Sequence, residues 1–160
     1  MKNITSGIGF WLLSSLCLVQ AAEPAPALEL KTLQGMTSHL ADHKGQVVYL
    51  DFWATWCAPC RQSFPWMNEM HDKYKTQGLK IIAISLDEKT EQVEGFLQTL
   101  PAHFSIMIDS EGKSADLFKV RGMPSSYVID RNGNIVGSHA GFRQKDTIKL
   151  EQMIKQALAS

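Results

Sequence analysis

The sequence predicts an α/β fold in which a central mixed β-sheet is flanked by helices on both faces. Two apolar runs rich in β-branched and aromatic residues, 46–53 and 80–86, have the composition of buried strands. Segments with apolar residues at helical spacing alternate with strand-like segments. An Asn132-Gly133 turn between two further short strands indicates a hairpin near the end of the chain.

The predicted elements follow one another without an internal boundary. They are strand 28–33, strand 46–53, helix 59–76, strand 80–86, helix 90–100, strand 104–108, helix 113–120, hairpin strands 126–130 and 134–138, and helix 146–159. Pro65 lies inside the first helix, where a proline is expected to produce a kink. This order of elements calls for a mixed sheet with helices on both of its faces.

Length and composition fit one globular domain, which we predict to span 28–160. The chain has 160 residues, of which 44% are hydrophobic and 20% are charged. Its formal net charge is zero, so there is no electrostatic reason to expect nucleic acid as a partner.

The N-terminal segment has the features of a secretory signal. Lys2 precedes a mostly apolar stretch at 8–19, and Ala21 closes a cleavage site. This stretch is shorter than the about 20 residues of a membrane span, although an uncleaved anchor is an alternative. We predict a signal peptide at 1–21, a flexible leader at 22–27, and export to the periplasm, an oxidising compartment. Cys17 would leave with the signal.

The mature chain keeps two cysteines, Cys57 and Cys60, at the junction between a strand and a helix. A cysteine at a helix N-terminus faces unpaired backbone N–H groups and the positive end of the helix dipole. Both favour the thiolate, which is the nucleophile, and Pro59 suits the first helical turn. A disulfide over so short a loop would stabilise little, and a zinc site needs about four ligands. The spacing therefore favours redox exchange, with a structural disulfide and a metal site as alternatives.

Asp51 stands inside an apolar strand, between Leu50 and Phe52. Acidic side chains are seldom buried without a function. Burial would raise the pKa of this carboxyl toward working pH, where it can act as a general base. The alternative is an acid on an edge strand that faces water.

Several motifs together resemble a known family. The segment LDFWATWCAPCRQSFP looks like the active-site segment of the thioredoxin superfamily. Together with the signal-like N-terminus, IIAISLDEKTEQVEGFLQTL and VRGMPSSYVIDRNGNIVG, it resembles the TlpA/ResA-like branch, exported thiol-disulfide oxidoreductases, over 28–158. The resemblance implies a thioredoxin fold with a short N-terminal strand extension and a central αβ insertion.

The resemblance also implies catalytic roles. Cys57 matches the nucleophile, Cys60 matches the resolving thiol, and Pro124 matches the cis-proline that faces them. Asp51 matches the buried acid of thioredoxins that takes the proton of the resolving thiol, whereas many TlpA/ResA-like sequences carry Asn there. Met123 would offer its backbone to an incoming substrate strand.

Further positions match the surroundings of the site. Trp56 and Pro59 match positions beside the thiols that contact substrates, and Trp53 matches a residue of the core. Glu88 falls where some relatives place an acid near the cysteines, and a plain surface role for it is equally open.

The implied function is the reduction of disulfides in specific exported proteins, as in the maturation of cytochrome c or of copper sites. A membrane electron donor of the thiol-reductase type would recharge the chain. The exchange would need no cofactor beyond the redox-active Cys57–Cys60 pair. Protein disulfides are the predicted substrates, and the chain is predicted to be a monomer that binds no nucleic acid.

Other functions remain as alternatives. A general disulfide reductase or an oxidant would use the same exchange at a different reduction potential. A copper(I) chaperone would hold that soft ion between the two thiolates, but no additional Met or His stands at an obvious spacing. A peroxidase is disfavoured because the Thr-x-x-Cys site expected of peroxiredoxins is absent.

Overall fold

The computed structural model describes residues 23–160, so the predicted signal peptide at 1–21 lies outside the described residues. The described residues form an eight-stranded mixed sheet with helices packed on both faces, which confirms the predicted fold class. Within this range, none of the helices has the length and apolar character needed to cross a membrane.

The sheet has eight strands, and the strand that leads to Cys57 lies near its centre. The strands are β1 (Glu23–Pro24), β2 (Glu29–Thr32), β3 (Thr37–His39), β4 (Val47–Trp53), β5 (Leu79–Ser85), β6 (Ser105–Ile108), β7 (Ser125–Ile129) and β8 (Asn134–Ala140). Their order across the sheet is β1-β8-β7-β4-β5-β6-β2-β3. β4, β5 and β6 run parallel, and the remaining neighbours pair antiparallel.

The two faces of the sheet carry different helices. The α-helices are α1 (Ala58–Tyr74), α2 (Thr90–Thr99), α3 (Lys113–Leu117) and α4 (Thr147–Ala159). The longer helices α1, α2 and α4 contribute to the apolar layer on one face. Short α3 and the 3-10 turn Leu40–His43 contribute to the layer on the opposite face. α1 continues through Pro65 to Tyr74 as one helix.

The pleat of β4 decides which of its side chains lie beneath α1. All seven residues of the strand are buried. Val47, Tyr49 and Trp53 belong to the apolar layer that includes α1, whereas Leu50 belongs to the layer on the other face. Because side chains alternate along a strand, Asp51 shares the face of Tyr49 and Trp53.

The N-terminal part of the described chain is more ordered than the sequence predicts. The flexible leader predicted at 22–27 is wrong for 23–25, because Glu23 and Pro24 form β1 against β8. The Ala25 N–H also donates to the Gly133 carbonyl at 2.9 Å. β3 likewise pairs with β2 between the predicted strands 28–33 and 46–53, where no strand is predicted. These strands are too short to produce a periodic pattern, so only their pairing partners define them.

Candidate active site

Cys57 follows the carboxyl end of β4 and caps the N-terminus of α1. Its backbone is extended (φ −84°, ψ 103°), and its Sγ accepts the Cys60 N–H at 3.3 Å. The Arg61 N–H donates to the Cys57 carbonyl, also at 3.3 Å. Pro59 stands in the first turn, where a missing N–H leaves no helical bond unmade. The Cys57 sulfur therefore faces the amide end of the helix, which stabilises negative charge.

The structure joins the two cysteines in a disulfide, with their Cα atoms 5.3 Å apart. Cys57 is 5% exposed and Cys60 is 0% exposed. Both cysteines are therefore buried, and Cys57 is the less enclosed of the two. Within the part of the chain that the structure describes, no group of three or more His, Cys, Asp and Glu side chains is placed to hold a metal ion.

The loop before β7 brings a proline to the end of the sheet where β4 leads into Cys57. The peptide bond between Met123 and Pro124 is cis, and Pro124 is buried while Met123 is half-buried. The pairing of β7 with β4 ends at Ser125 and Phe52, five residues before Cys57. The loop that holds Pro124 therefore lies near the end of β4 that leads to the disulfide. The Gly141 N–H donates to the Pro124 carbonyl at 2.7 Å and ties the loop to the end of β8.

Asp51 is buried in the centre of the sheet without a partner for one of its oxygens. It is 2% exposed, and its Oδ2 has no hydrogen-bond partner among the described residues. Burial raises the pKa of this carboxyl well above its usual value. Because β7 and β5 flank β4, the alternative of an edge-strand acid facing water is wrong. The carboxyl lies on the face of the sheet where Cys60 joins the apolar layer.

The other predicted site residues differ in exposure. Trp56 is 70% exposed beside Cys57, and Pro59 is half-buried in the first turn of α1. Glu88 is exposed in the loop after β5, at the same edge of the sheet as the disulfide. Trp53 is fully buried in the core, in agreement with its predicted place.

A second buried acid, Asp87, anchors the loop that leads into Cys57, and no motif in the sequence marks it. Asp87 is 2% exposed. Its Oδ2 accepts the Thr55 N–H at 2.9 Å and the Ser85 hydroxyl at 2.8 Å, and its Oδ1 accepts the Thr55 hydroxyl at 2.7 Å. Its position just after β5, which is parallel to β4, is the signal that could have revealed it.

We expect Asp87→Ala to lower the free energy of unfolding by about 2–4 kcal/mol, because Thr55 and Ser85 would keep donors with no acceptor. Chemical denaturation of the oxidised protein measures this change. Glu88→Gln is the matched control, since Glu88 is adjacent and exposed, and it should change stability by less than about 0.5 kcal/mol. Equally small changes in the two variants would contradict an anchoring role for Asp87.

A mixed sheet of this topology, with a disulfide-forming pair at the start of the helix after its central strand, defines the class of thioredoxin-like proteins. The chain belongs to the AhpC/TSA family, whose sequence model matches residues 21–138.

Named relatives narrow the class further. Thiol-disulfide oxidoreductase ResA from Bacillus thuringiensis subsp. konkukian (strain 97-27) is 34% identical over 138 residues, which are 86% of this chain and 79% of ResA. Thioredoxin-like protein YneN from Bacillus subtilis (strain 168) is 39% identical over 130 residues, which are 79% of this chain and 75% of YneN. A crystal structure from Chlorobium tepidum, assigned as a thiol:disulfide interchange protein DsbE, has 48% identity and a TM-score of 0.83. That match covers 86% of this chain and 96% of the other.

These similarities confirm the thioredoxin fold and the resemblance found in the sequence. The chain is a thiol-disulfide oxidoreductase.

Proposed function

We propose that this chain reduces the disulfides of specific exported proteins, with Cys57 as the nucleophile and Cys60 as the resolving thiol. The observation that carries the proposal is the place of Cys57 as the N-cap of α1, where its Sγ accepts the Cys60 N–H, while Cys60 has no exposed surface. A target disulfide can approach Cys57, whose sulfur is stabilised as a thiolate by the Cys60 N–H. Cys60 is enclosed, so it reacts only with a partner already joined to Cys57.

The proposed exchange proceeds in two balanced steps. The Cys57 thiolate attacks one sulfur of the target disulfide, so that a mixed disulfide forms and the second target sulfur leaves and takes up a proton. Cys60 then loses its proton and attacks Cys57, which forms the intramolecular disulfide and releases the first target sulfur as a thiol. Two electrons pass to the target. No organic cofactor or metal ion takes part, because the two sulfurs carry both electrons.

Asp51 is the proposed acceptor of the Cys60 proton. Burial raises the pKa of the Asp51 carboxyl, which brings its proton affinity closer to that of a thiol. The free Oδ2 gives the carboxyl an unused acceptor on the face of the sheet where Cys60 packs. The proton would leave Cys60 at the moment its sulfur attacks.

The proposed binding surface surrounds Cys57, of which 5% is exposed. Trp56 and Pro59 lie close to Cys57 in the chain, and the large exposed area of Trp56 suits contact with a partner. The Met123 backbone, next to cis-Pro124, would pair with an extended segment of the target.

The proposed setting is the periplasm, with a membrane electron donor of the thiol-reductase type and the chain acting as a monomer. Support comes from the signal-like sequence at 1–21 and from the likeness to proteins named ResA and DsbE. A dithiol in an oxidising compartment must be recharged continuously. The proposed targets are the cysteines of apocytochrome c or of copper-site proteins, as the resemblance implies.

A comparison of two substrates tests the proposed target class. The reduced protein is given a Cys-x-x-Cys-His peptide in its disulfide form, which carries the haem-attachment pattern, or insulin. We expect kcat/KM for the peptide to exceed that for insulin by at least about tenfold. A Cys60→Ser variant exported by its own signal should also retain a target as a mixed disulfide, which mass spectrometry identifies.

Other results would contradict the proposal in distinguishable ways. Equal rates with the two substrates would indicate a general reductase. Stoichiometric copper(I) binding without reduction of either substrate would indicate a copper chaperone. A more oxidising reduction potential than the target peptide would indicate that electrons flow in the opposite direction.

A further inference from the structure

A groove opens beside the cis-proline on the face of the sheet opposite to α1. It has a volume of about 540 Å³, and its lining includes Lys119, Arg121, Met123, Tyr127, Ser138 and Gly141. Met123 and Gly141 flank Pro124, so one end of the groove reaches the proposed binding surface. The other end runs along β7 and β8. We call this surface the β7–β8 groove.

The charge of the β7–β8 groove is positive. Lys119 and Arg121 are exposed at its rim, and no Asp or Glu contributes to its lining. Within residues 23–160, neither Lys119 nor Arg121 lies within 4 Å of a carboxylate oxygen. His139, which also lines the groove, pairs with Asp146 at 3.5 Å. Two cations without partners therefore stand next to the proposed substrate surface.

Lys119 occupies a backbone conformation that normally selects against a side chain. Its φ is 55°, and it is the only residue other than glycine with a positive φ among those described. It follows the end of α3, where the Val120 N–H donates to the Ala115 carbonyl at 2.9 Å. Glycine is favoured at such a helix end because it has no Cβ. Lys119 is therefore less favourable than glycine at this position, and it stands at the rim of the groove.

We propose that the β7–β8 groove binds an acidic segment of the protein whose disulfide is reduced. This inference rests on the proposed function, because it assigns a substrate preference to the same site. Asp or Glu side chains beside the target cysteines would pair with Lys119 and Arg121. Two solvent-exposed ion pairs are expected to raise kcat/KM by about threefold to tenfold at low salt. The gain should fall as salt screens the charges.

Matched peptides test this preference in single-turnover reactions with reduced protein. Two peptides share one disulfide loop, which is flanked by Asp and Glu in the first and by Asn and Gln in the second. Neutral hydroxyethyl disulfide reports on the exchange chemistry alone. The groove variant is Lys119→Glu/Arg121→Glu. The control variant is Lys149→Glu/Lys155→Glu, which makes the same change in charge at exposed positions of α4, a helix packed on the opposite face.

We expect the unmodified protein and the control variant to prefer the acidic peptide by about threefold to tenfold at low salt. The groove variant should lose or reverse this preference while reducing hydroxyethyl disulfide at the unmodified rate. Lys119→Gly gives an independent check, because it should raise the melting temperature and still weaken the preference.

Two results would overturn the inference. One is equal reduction of the two peptides by the unmodified protein, and the other is a preference that survives in the groove variant. If the unmodified protein and both variants fail to reduce hydroxyethyl disulfide, the proposed function itself is wrong. Normal rates with hydroxyethyl disulfide therefore confine any failure to the groove.

Discussion

Replacing Cys57 with serine should abolish disulfide reduction, with a loss of at least about a thousandfold in rate. A serine hydroxyl stays protonated at neutral pH and does not displace a thiolate from a disulfide. Cys60 cannot substitute for the lost thiol, because it is fully buried in the structure. Single-turnover reduction of a peptide disulfide, followed through the fluorescence of Trp56 beside the site, measures the effect.

Cys60→Ser is the matched control for this experiment. Both variants lose the same disulfide, which spans a sequence separation of only 3, so each should lose at most about 2 kcal/mol of stability. Cys60→Ser should keep a fast first attack and accumulate the mixed disulfide. If Cys57→Ser attacked the peptide at the normal rate, or if Cys60→Ser failed to attack it, the assignment of Cys57 as nucleophile would be wrong.

The second large effect is expected at Asp51, where Asp51→Asn should slow resolution of the mixed disulfide by about a hundredfold. The amide cannot take the proton of Cys60. The first attack by Cys57 does not need this proton transfer, so its rate should be unchanged. Stopped-flow fluorescence separates the two steps, and unchanged resolution would remove Asp51 from the mechanism.

The same variant should be more stable than the unmodified protein at alkaline pH. Burial raises the folded-state pKa of Asp51 above its ordinary value of 3.8. The folded carboxyl therefore keeps a proton that the unfolded chain releases, and its contribution to stability is complete below the unfolded pKa. That contribution is lost as pH rises toward the folded pKa. Asn does not titrate, so Asp51→Asn should gain about 1–3 kcal/mol over the unmodified protein at high pH and nothing at a pH well below 3.8.

Denaturant unfolding across a pH series checks this difference. Glu94→Gln is a suitable control, because Glu94 is exposed on α2 and should give a curve parallel to that of the unmodified protein. Parallel curves for Asp51→Asn as well would show that its carboxyl titrates normally in the fold. A stabilising replacement that impairs the reaction would identify Asp51 as a residue kept for function at the expense of stability.

Much of the fold was predictable because its central elements have strong local signals. All seven residues of β4 are buried, and six of them are apolar; Asp51 is the exception. The helical start at Cys57 was predictable from the strand that precedes it and from Pro59 in the first turn. The place of Pro124 came from the resemblance, since a proline in a loop does not by itself indicate a cis bond.

The parts that were missed depend on contacts between distant residues. β1 consists of Glu23 and Pro24, and its only definition is its pairing with β8, more than a hundred residues later in the chain. In the sequence, Asp87 is an ordinary polar residue just after an apolar strand. Its role depends on the parallel pairing of β4 and β5, which brings Thr55 beside it. The missing partner of Asp51 Oδ2 also depends on the complete packing of the sheet face.

The pH dependence of alkylation tests most directly whether the helix N-terminus makes Cys57 the reactive thiol. Reduced protein is treated briefly with iodoacetamide across a pH series, and mass spectrometry counts the modification at each cysteine. We expect Cys57 to react first, with a midpoint below the pKa of about 8.5 of an ordinary thiol, while Cys60 stays unmodified. A midpoint at or above that of an ordinary thiol, or earlier modification of Cys60, would contradict this expectation.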